Sequence, residues 1–152
     1  MKEPKQYGLR KDEEWEWFPW LPWSPASRPP FKIWVKPEDI APFFFVEHHP
    51  YALSLLLKIS DGFKIDTFHK MGLEGSSKDW ETLATGFIKD WEENHSGVDL
   101  FHFDSDEDVF CVYSQYIDDI IAFAKVLRED CNDERQMKNY IVRGSQELNH
   151  LF

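Results

Sequence analysis

The chain has 152 residues, of which 42% are hydrophobic and 16% are aromatic. This composition predicts one domain with a sizeable core and excludes a chain that is disordered throughout. The formal net charge of −11 excludes nucleic-acid binding that is driven by the protein's own charge, because neutralising phosphates requires lysine and arginine.

The cysteine content and the absence of long apolar runs bear on the compartment. Two cysteines, Cys111 and Cys131, are too few for a disulfide framework. The N-terminus lacks the apolar stretch of a secretory signal, and the longest apolar run elsewhere is far short of a membrane span. We therefore expect a cytoplasmic protein that has free thiols and does not contact the membrane.

Residues 1–30 form an arm that differs in composition from the rest of the chain. Closely spaced prolines prevent a regular helix there and predict an extended arm. The arm carries four tryptophans, which should not remain in water: Trp15, Trp17, Trp20 and Trp23. Three interpretations remain open for the arm. It fills grooves on its own domain, it contacts a partner chain or a second copy in a homodimer, or it forms an aromatic strip for carbohydrate.

Residues 31–152 predict a single α+β domain, which begins with strands. The third of these also admits a helix, because leucine and alanine have no strong β preference. The fourth follows a turn, Ser60 to Gly62, that has a hairpin signature. The predicted strands are Phe31–Val35, Pro42–His48, Tyr51–Ile59 and Phe63–Phe68.

The clearest periodicity in the chain follows. Apolar residues recur at i, i+3, i+4, i+7, i+8 and i+11 from Trp80 to Trp91, which predicts an amphipathic helix. Ser76 and Asp79 have the spacing of a capping box at its start. Gly86 inside the helix is costly, and it would allow a neighbouring element to approach closely.

Two further strands and two further helices complete the predicted domain. The strands, Val98–Phe103 and Val109–Tyr113, form a hairpin around an acidic turn. Helices follow from Ile117 to Leu127 and from Glu134 to Val142, and Gly144 would end the last one. The sequence therefore predicts an antiparallel sheet of five to six strands with two or three helices packed on one face.

The acidic turn is the most charged segment of the predicted domain. Its four acids cannot be buried cheaply, so we expect the turn to be exposed. Their alternation is similar to a calcium loop, but Val109 and Gln115 stand where an EF-hand needs glycine and glutamate. The acids are Asp104, Asp106, Glu107 and Asp108.

The sequence contains no catalytic signature. There is no Ser-His-Asp order, paired-cysteine motif, HExxH or glycine-rich phosphate loop, so we predict no catalytic residues, no metal ligands and no cofactor. Glu47 and His48 are adjacent on a predicted strand and point to opposite faces, so they would not converge on a metal. The alternative hypothesis is a small ligand-binding or enzymatic domain with a pocket on the aromatic-rich sheet, built around these two residues.

A spaced pattern of aromatic and acidic residues runs through the middle of the chain. It consists of a glycine turn, a helix start, an aromatic–acid pair and a strand end: Gly72–Gly75, Asp79-Trp80-Glu81 with Leu83 and Ala84, Phe103-Asp104 with Phe110, and Val112-Tyr113-Ser114. This pattern resembles immunity protein 51, a family of bacterial polymorphic-toxin immunity proteins. The resemblance covers roughly residues 42–130. It implies an α+β fold and a cytoplasmic protein that has no enzymatic activity and neutralises a cognate toxin.

The charge of the chain fits the partner that this resemblance implies. A protein with a net charge of −11 attracts basic partners, and nuclease toxins are often basic because they hold a phosphate backbone. Solubility alone is the other explanation for the acidity. Charge density and exposure lead to the hypothesis that the toxin contacts Asp104, Asp106, Glu107 and Asp108.

Overall fold

The computed structural model of the protein describes residues 37–48, 52–94 and 99–149. These residues form an α+β fold with five α-helices and one antiparallel sheet of four strands. The strands are β1 (Phe44–His48), β2 (Ala52–Lys58), β3 (His102–Phe103) and β4 (Val109–Ser114). The helices are α1 (Pro37–Ile40), α2 (Ile65–Lys70), α3 (Ser77–Asn94), α4 (Ile117–Asp130) and α5 (Glu134–Asn149).

The sheet has the strand order β1-β2-β4-β3, and every neighbouring pair is antiparallel. Leu55 of β2 lies opposite Phe45 of β1 and Val112 of β4, and all three side chains are fully buried. Because side chains alternate along a strand, these residues define the inner face of the sheet. The segment Ala52–Lys58 is therefore a strand, and the alternative prediction of a helix there is wrong.

A single hydrophobic core joins the inner face of the sheet to the helices. Each of the five described helices contributes buried residues to this core. Trp80 of α3 lies near its centre, with ring centroids 5.0 Å from Phe68, 5.7 Å from Phe43 and 6.1 Å from Phe110. Full burial of such large rings removes much apolar surface from water, which is the main driving force for this fold.

The predicted start of α3 is confirmed in detail. The Ser76 Oγ accepts a hydrogen bond from the Asp79 N–H at 3.2 Å, and the Asp79 carboxylate accepts one from the Ser76 N–H at 3.2 Å. This reciprocal pair is the capping box expected from the spacing. The same carboxylate oxygen also accepts from the N–H groups of Glu74 and Gly75, at 3.0 and 2.8 Å.

The close approach predicted at Gly86 is also confirmed, and its partner is α5. A Cβ atom on Gly86 would lie 2.0 Å from the Tyr140 carbonyl oxygen. A Cβ atom on Gly144 would lie 1.7 Å from the Thr82 carbonyl oxygen. Only hydrogen fits at either position, so the two helix backbones touch where they cross.

The predicted end of the last helix, the predicted length of one strand and the predicted number of elements need correction. Gly144 does not end the last helix, because α5 continues to Asn149 and uses Gly144 for its contact with α3. The strand before the acidic turn is shorter than predicted and comprises His102–Phe103. The described sheet has four strands instead of five or six, and the described fold has five α-helices instead of two or three. The predicted strand Phe31–Val35 lies outside the described residues, as does the arm of residues 1–30.

The predicted strand Phe63–Phe68 is wrong, because these residues turn into α2. Both edges of β2 are already paired, one with β1 and the other with β4, so no edge remains for a hairpin partner. Gly62 and Lys64 have φ angles of 65° and 55°, and these left-handed residues direct the chain away from the sheet. None of the described helices is long and apolar enough to cross a membrane.

Candidate functional site

The acidic turn between β3 and β4 is exposed, as its composition predicts, and its backbone is well ordered by hydrogen bonds. The carboxylates at Asp104, Asp106, Glu107 and Asp108 all belong to exposed residues. The Asp104 N–H donates to the Cys111 carbonyl and the Asp106 N–H donates to the Val109 carbonyl, both at 3.0 Å. These bonds continue the β3–β4 ladder into the turn, so the acids are held on a fixed backbone.

Asp106 differs from the other acids because its carboxylate is used within the turn. Its Oδ1 accepts hydrogen bonds from the N–H groups of Asp108 and Val109, at 2.8 and 2.9 Å. Aspartate commonly closes turns in this way, by accepting from backbone two or three residues ahead. Asp106 therefore shapes the turn, while the Glu107 and Asp108 carboxylates extend from it into solvent.

The turn is tied to both neighbouring elements. The Ile59 N–H at the end of β2 donates to the Asp108 carbonyl at 2.9 Å. The Ser77 hydroxyl at the start of α3 donates to the Glu107 carbonyl at 3.4 Å. Ser105 anchors the other side, since its Oγ accepts from the Cys111 N–H at 2.9 Å. These contacts fix the position of the acids relative to the body of the fold.

A groove of about 560 Å³ separates the acidic turn from the start of α3. One wall is the turn and the other is the first helical turn of α3, whose N–H groups favour negative charge nearby. The lining side chains are hydroxyls, carboxylates and one amine: Ser76, Ser77, Lys78, Glu81, Ser105, Asp106 and Glu107. This set can hydrogen-bond and attract a cation, but it offers no activated nucleophile and no base aligned with one.

Four lining residues at the start of α3 were not predicted from the sequence to belong to the site: Ser76, Ser77, Lys78 and Glu81. They lie about thirty positions before the acidic turn, and only the fold brings them to it. Their sequence signals are the capping box, which includes Ser76, and the family pattern, which includes Glu81; both indicate the start of a helix without indicating what that helix end faces. The predicted acids, in contrast, are close together because they lie within one five-residue turn, and two of them, Asp106 and Glu107, line the groove.

A second depression, of about 420 Å³, lies between α2 and the start of α5. Two of its charged residues neutralise each other, because the Lys70 amine contacts the Glu134 carboxylate at 2.8 Å. The hydrogen bond with Glu134 raises the pKa of Lys70, and the same bond lowers the pKa of Glu134. Cys131 lines this depression, but burial raises the pKa of its thiol, so it is not a nucleophile at neutral pH.

The hypothesis of an enzymatic or ligand-binding site gains no support from the described residues. Glu47 and His48 lie on β1, and their side chains are outside the described part of the structure. Burial raises the pKa of the Cys111 thiol to about 11, so it remains protonated at neutral pH. Among residues 37–48, 52–94 and 99–149, no group of three or more metal-ligating side chains is placed to hold an ion. The four arm tryptophans, Trp15, Trp17, Trp20 and Trp23, fall outside these ranges.

Comparison with known proteins connects this fold to one family. The family model described as Immunity protein 51 matches residues 43–146, which is more than half of the chain. The match includes the whole described sheet, the acidic turn and both walls of the groove. No curated protein and no solved structure matches the chain significantly.

Proposed function

The chain belongs to the immunity protein 51 family, and on that premise we propose that it binds a cognate polymorphic toxin and neutralises it by occluding the toxin's active site. Family membership assigns the chain an immunity function in general. It also implies that the partner is a protein toxin, and it suggests a role without catalysis.

The observation that carries the proposed interface is an exposed acidic edge on a rigid support. Glu107 and Asp108 extend from a turn whose backbone is bonded to β2, α3 and β4. Binding such a surface orders few additional groups, so little affinity is lost to conformational entropy. A rigid acidic projection beside a groove is suited to enter the positively charged active-site cleft of another protein.

Charge complementarity supports a basic toxin. The chain carries a net charge of −11, which accelerates association with a basic partner and makes the rate depend on ionic strength. Glu81 and Glu107 lie on opposite walls of the groove, so an arginine or lysine that enters it meets carboxylates on both sides. The toxin's catalytic or substrate-binding cations would be neutralised and covered in the same contact.

Growth rescue tests the proposed function directly. The protein encoded immediately upstream is expressed alone and together with this chain, and the complex is purified from the second culture. We expect the upstream protein to arrest growth alone, and we expect this chain to restore growth and co-purify with it. A harmless neighbour that does not bind would refute the proposal for that pair.

A matched pair of charge reversals tests the interface. Glu107→Lys with Asp108→Lys changes the acidic turn, and Asp118→Lys with Asp119→Lys makes the same change in net charge at the start of α4, beyond the other end of β4. We expect the first variant to weaken toxin binding about tenfold or more at low salt and to reduce its salt dependence more than the second variant does, because rim charges act mainly on association. Equal affinities for the two folded variants would place the interface elsewhere and leave the immunity function intact.

A further inference from the structure

The sheet has an outer face that is unusually apolar. Strand alternation places the residues of β2 that do not point to the core on this face, together with their partners in β1 and β4. Two rows of cross-strand neighbours run over this face from β1 through β2 to β4. The first row is Phe44, Leu56 and Cys111, and the second is Val46, Ser54 and Tyr113. A sheet face that meets water usually carries polar residues at such positions. This pattern is therefore typical of a face that is covered.

All five described helices pack on the other side of the sheet. Each contributes buried residues to the core that contains the inner-face residues Leu55 and Val112. Phe44, Leu56 and Cys111 are not part of that core. Within the ranges that the structure describes, the outer face thus has no helix as its cover.

Three small residues on the outer face are nearly inaccessible to solvent. Ala52, Ser54 and Cys111 are small, and they retain only 6%, 4% and 5% of their accessible surface. Larger side chains that are half-buried surround them, among them Leu56 and Tyr113. Small side chains beside larger apolar ones leave room for an aromatic ring to pack against the sheet.

We propose that the tryptophan-rich arm of the same chain, residues 15–23, docks on this outer face. The arm carries four large aromatic side chains that are suited to cover an apolar face: Trp15, Trp17, Trp20 and Trp23. Prolines within and after this segment lower the entropy that docking costs, because they restrict the free chain.

The position and length of the arm favour docking within one chain. The described fold begins with α1 (Pro37–Ile40), α1 leads into β1, and β1 is an edge strand of the described sheet. The residues between Trp23 and Pro37 span at most roughly 45 Å when extended, whereas four strands are roughly 19 Å across. The tethered arm therefore reaches every strand, and its effective concentration exceeds that of a second copy.

The thiol of Cys111 reports whether the face is covered. Full-length protein is treated with a maleimide, and the labelling rate of each cysteine is read by peptide mass spectrometry. Cys131 is the internal control, because it lies in the core and becomes labelled only when the fold opens. We expect replacement of the four arm tryptophans by alanine to speed labelling of Cys111 at least tenfold and to leave Cys131 unchanged. Tyr7→Ala with Leu9→Ala, the matched control in the arm, should leave both rates unchanged.

Two results from this experiment would overturn the proposal. Unchanged labelling of Cys111 in the tryptophan variant would mean that the arm does not cover the face. Protection that grows with protein concentration in the unaltered chain would mean that a second copy supplies the cover.

A reciprocal variant keeps the test decisive if the tryptophan variant does not fold. Leu56→Lys introduces a charge on the outer face, and Val142→Lys introduces the same charge at an exposed apolar position of α5. Chymotrypsin cleavage after Trp17, Trp20 and Trp23 is followed in both full-length variants. We expect at least tenfold faster cleavage for Leu56→Lys alone, and equal rates in the two variants would exclude docking on this face.

Discussion

The crossing of α3 and α5 and the acidic turn between β3 and β4 are held by different kinds of contact. At the crossing, two helix backbones touch through Gly86 and Gly144, and no side chain fits between them. In the turn, the backbone is bonded to its neighbours while the Glu107 and Asp108 side chains extend into water. The first region tolerates no added atom, whereas the second can change its outward charge without changing a contact.

Because of this difference, substitutions at the crossing should change stability, and substitutions of the exposed acids should change binding. Packing at the crossing is sensitive to volume, because interiors are as dense as organic crystals. The acids of the turn are sensitive to charge and to ionic strength. α3 connects the two regions, since its middle crosses α5 and its first turn lines the groove. Variants in α3 and in the segments that it contacts therefore distinguish effects on stability from effects on binding.

The largest effect is expected from filling the crossing. Gly144→Ala places a Cβ atom 1.7 Å from the Thr82 carbonyl oxygen, so the helices must separate. We expect a loss of about 3 kcal/mol of unfolding free energy or total failure to fold, despite the gain of about 1 kcal/mol in helix propensity. Chemical denaturation measures this loss. Ser145→Ala, one residue along at an exposed position, is the control and should change stability by less than about 0.5 kcal/mol.

A smaller effect is expected where α3 begins. The Asp79 carboxylate accepts from three backbone N–H groups, so Asp79→Ala leaves all three without this partner. We expect a loss of about 2 kcal/mol, at the upper end of measured capping effects. Glu81→Ala removes a nearby acid that has no capping role, and it serves as the control in thermal unfolding. Equal losses in the two variants would mean that charge, and not capping, stabilises the start of α3.

Asp106 is expected to have a still smaller effect, and it tests the division of roles within the acidic turn. Asp106→Ala removes the acceptor for the Asp108 and Val109 N–H groups, which should cost about 1 kcal/mol. Asp106→Asn keeps an oxygen in the same place and should restore most of that stability without restoring the charge. If the asparagine variant is as unstable as the alanine variant, the charge of Asp106 matters more to the turn than its hydrogen bonds.

The elements that follow from local pattern could be predicted from the sequence. The helix from Ser77 to Asn94 follows from its apolar periodicity and its capping box, and the close contact at Gly86 follows from the cost of glycine inside a helix. The exposure of the acidic turn follows from the cost of burying charge. Each of these features depends on residues that are near one another in the chain.

The features that sequence missed depend on distant partners. Phe63–Phe68 alternates like a strand, and it becomes α2 because β4 takes the edge of β2 that it would need. Gly144 has the residue type of a helix end, and local pattern does not reveal that it is the partner of Gly86 in the crossing of α3 and α5. The groove exists only because Ser77 meets Glu107, thirty positions away. Position in the fold, and not residue type, decides these cases.

The smallest effect is expected at the exposed ion pairs that border the crossing. The Arg143 guanidinium contacts the carboxylates of Glu93 and Asp90, and its hydrogen bond with Glu93 lowers the pKa of that carboxyl. A lowered pKa stabilises the fold at pH values above the pKa of the unfolded carboxyl, and this stability is lost as the pH falls through the lowered value. Thermal unfolding of Glu93→Gln should therefore show a slightly lower Tm than the unaltered chain at pH 7, with the difference vanishing once the pH has fallen below the lowered pKa, and also in high salt. A difference that persists in acid and in salt would mean that Glu93 stabilises the crossing by packing, which would make the border of the crossing as sensitive to shape as its centre.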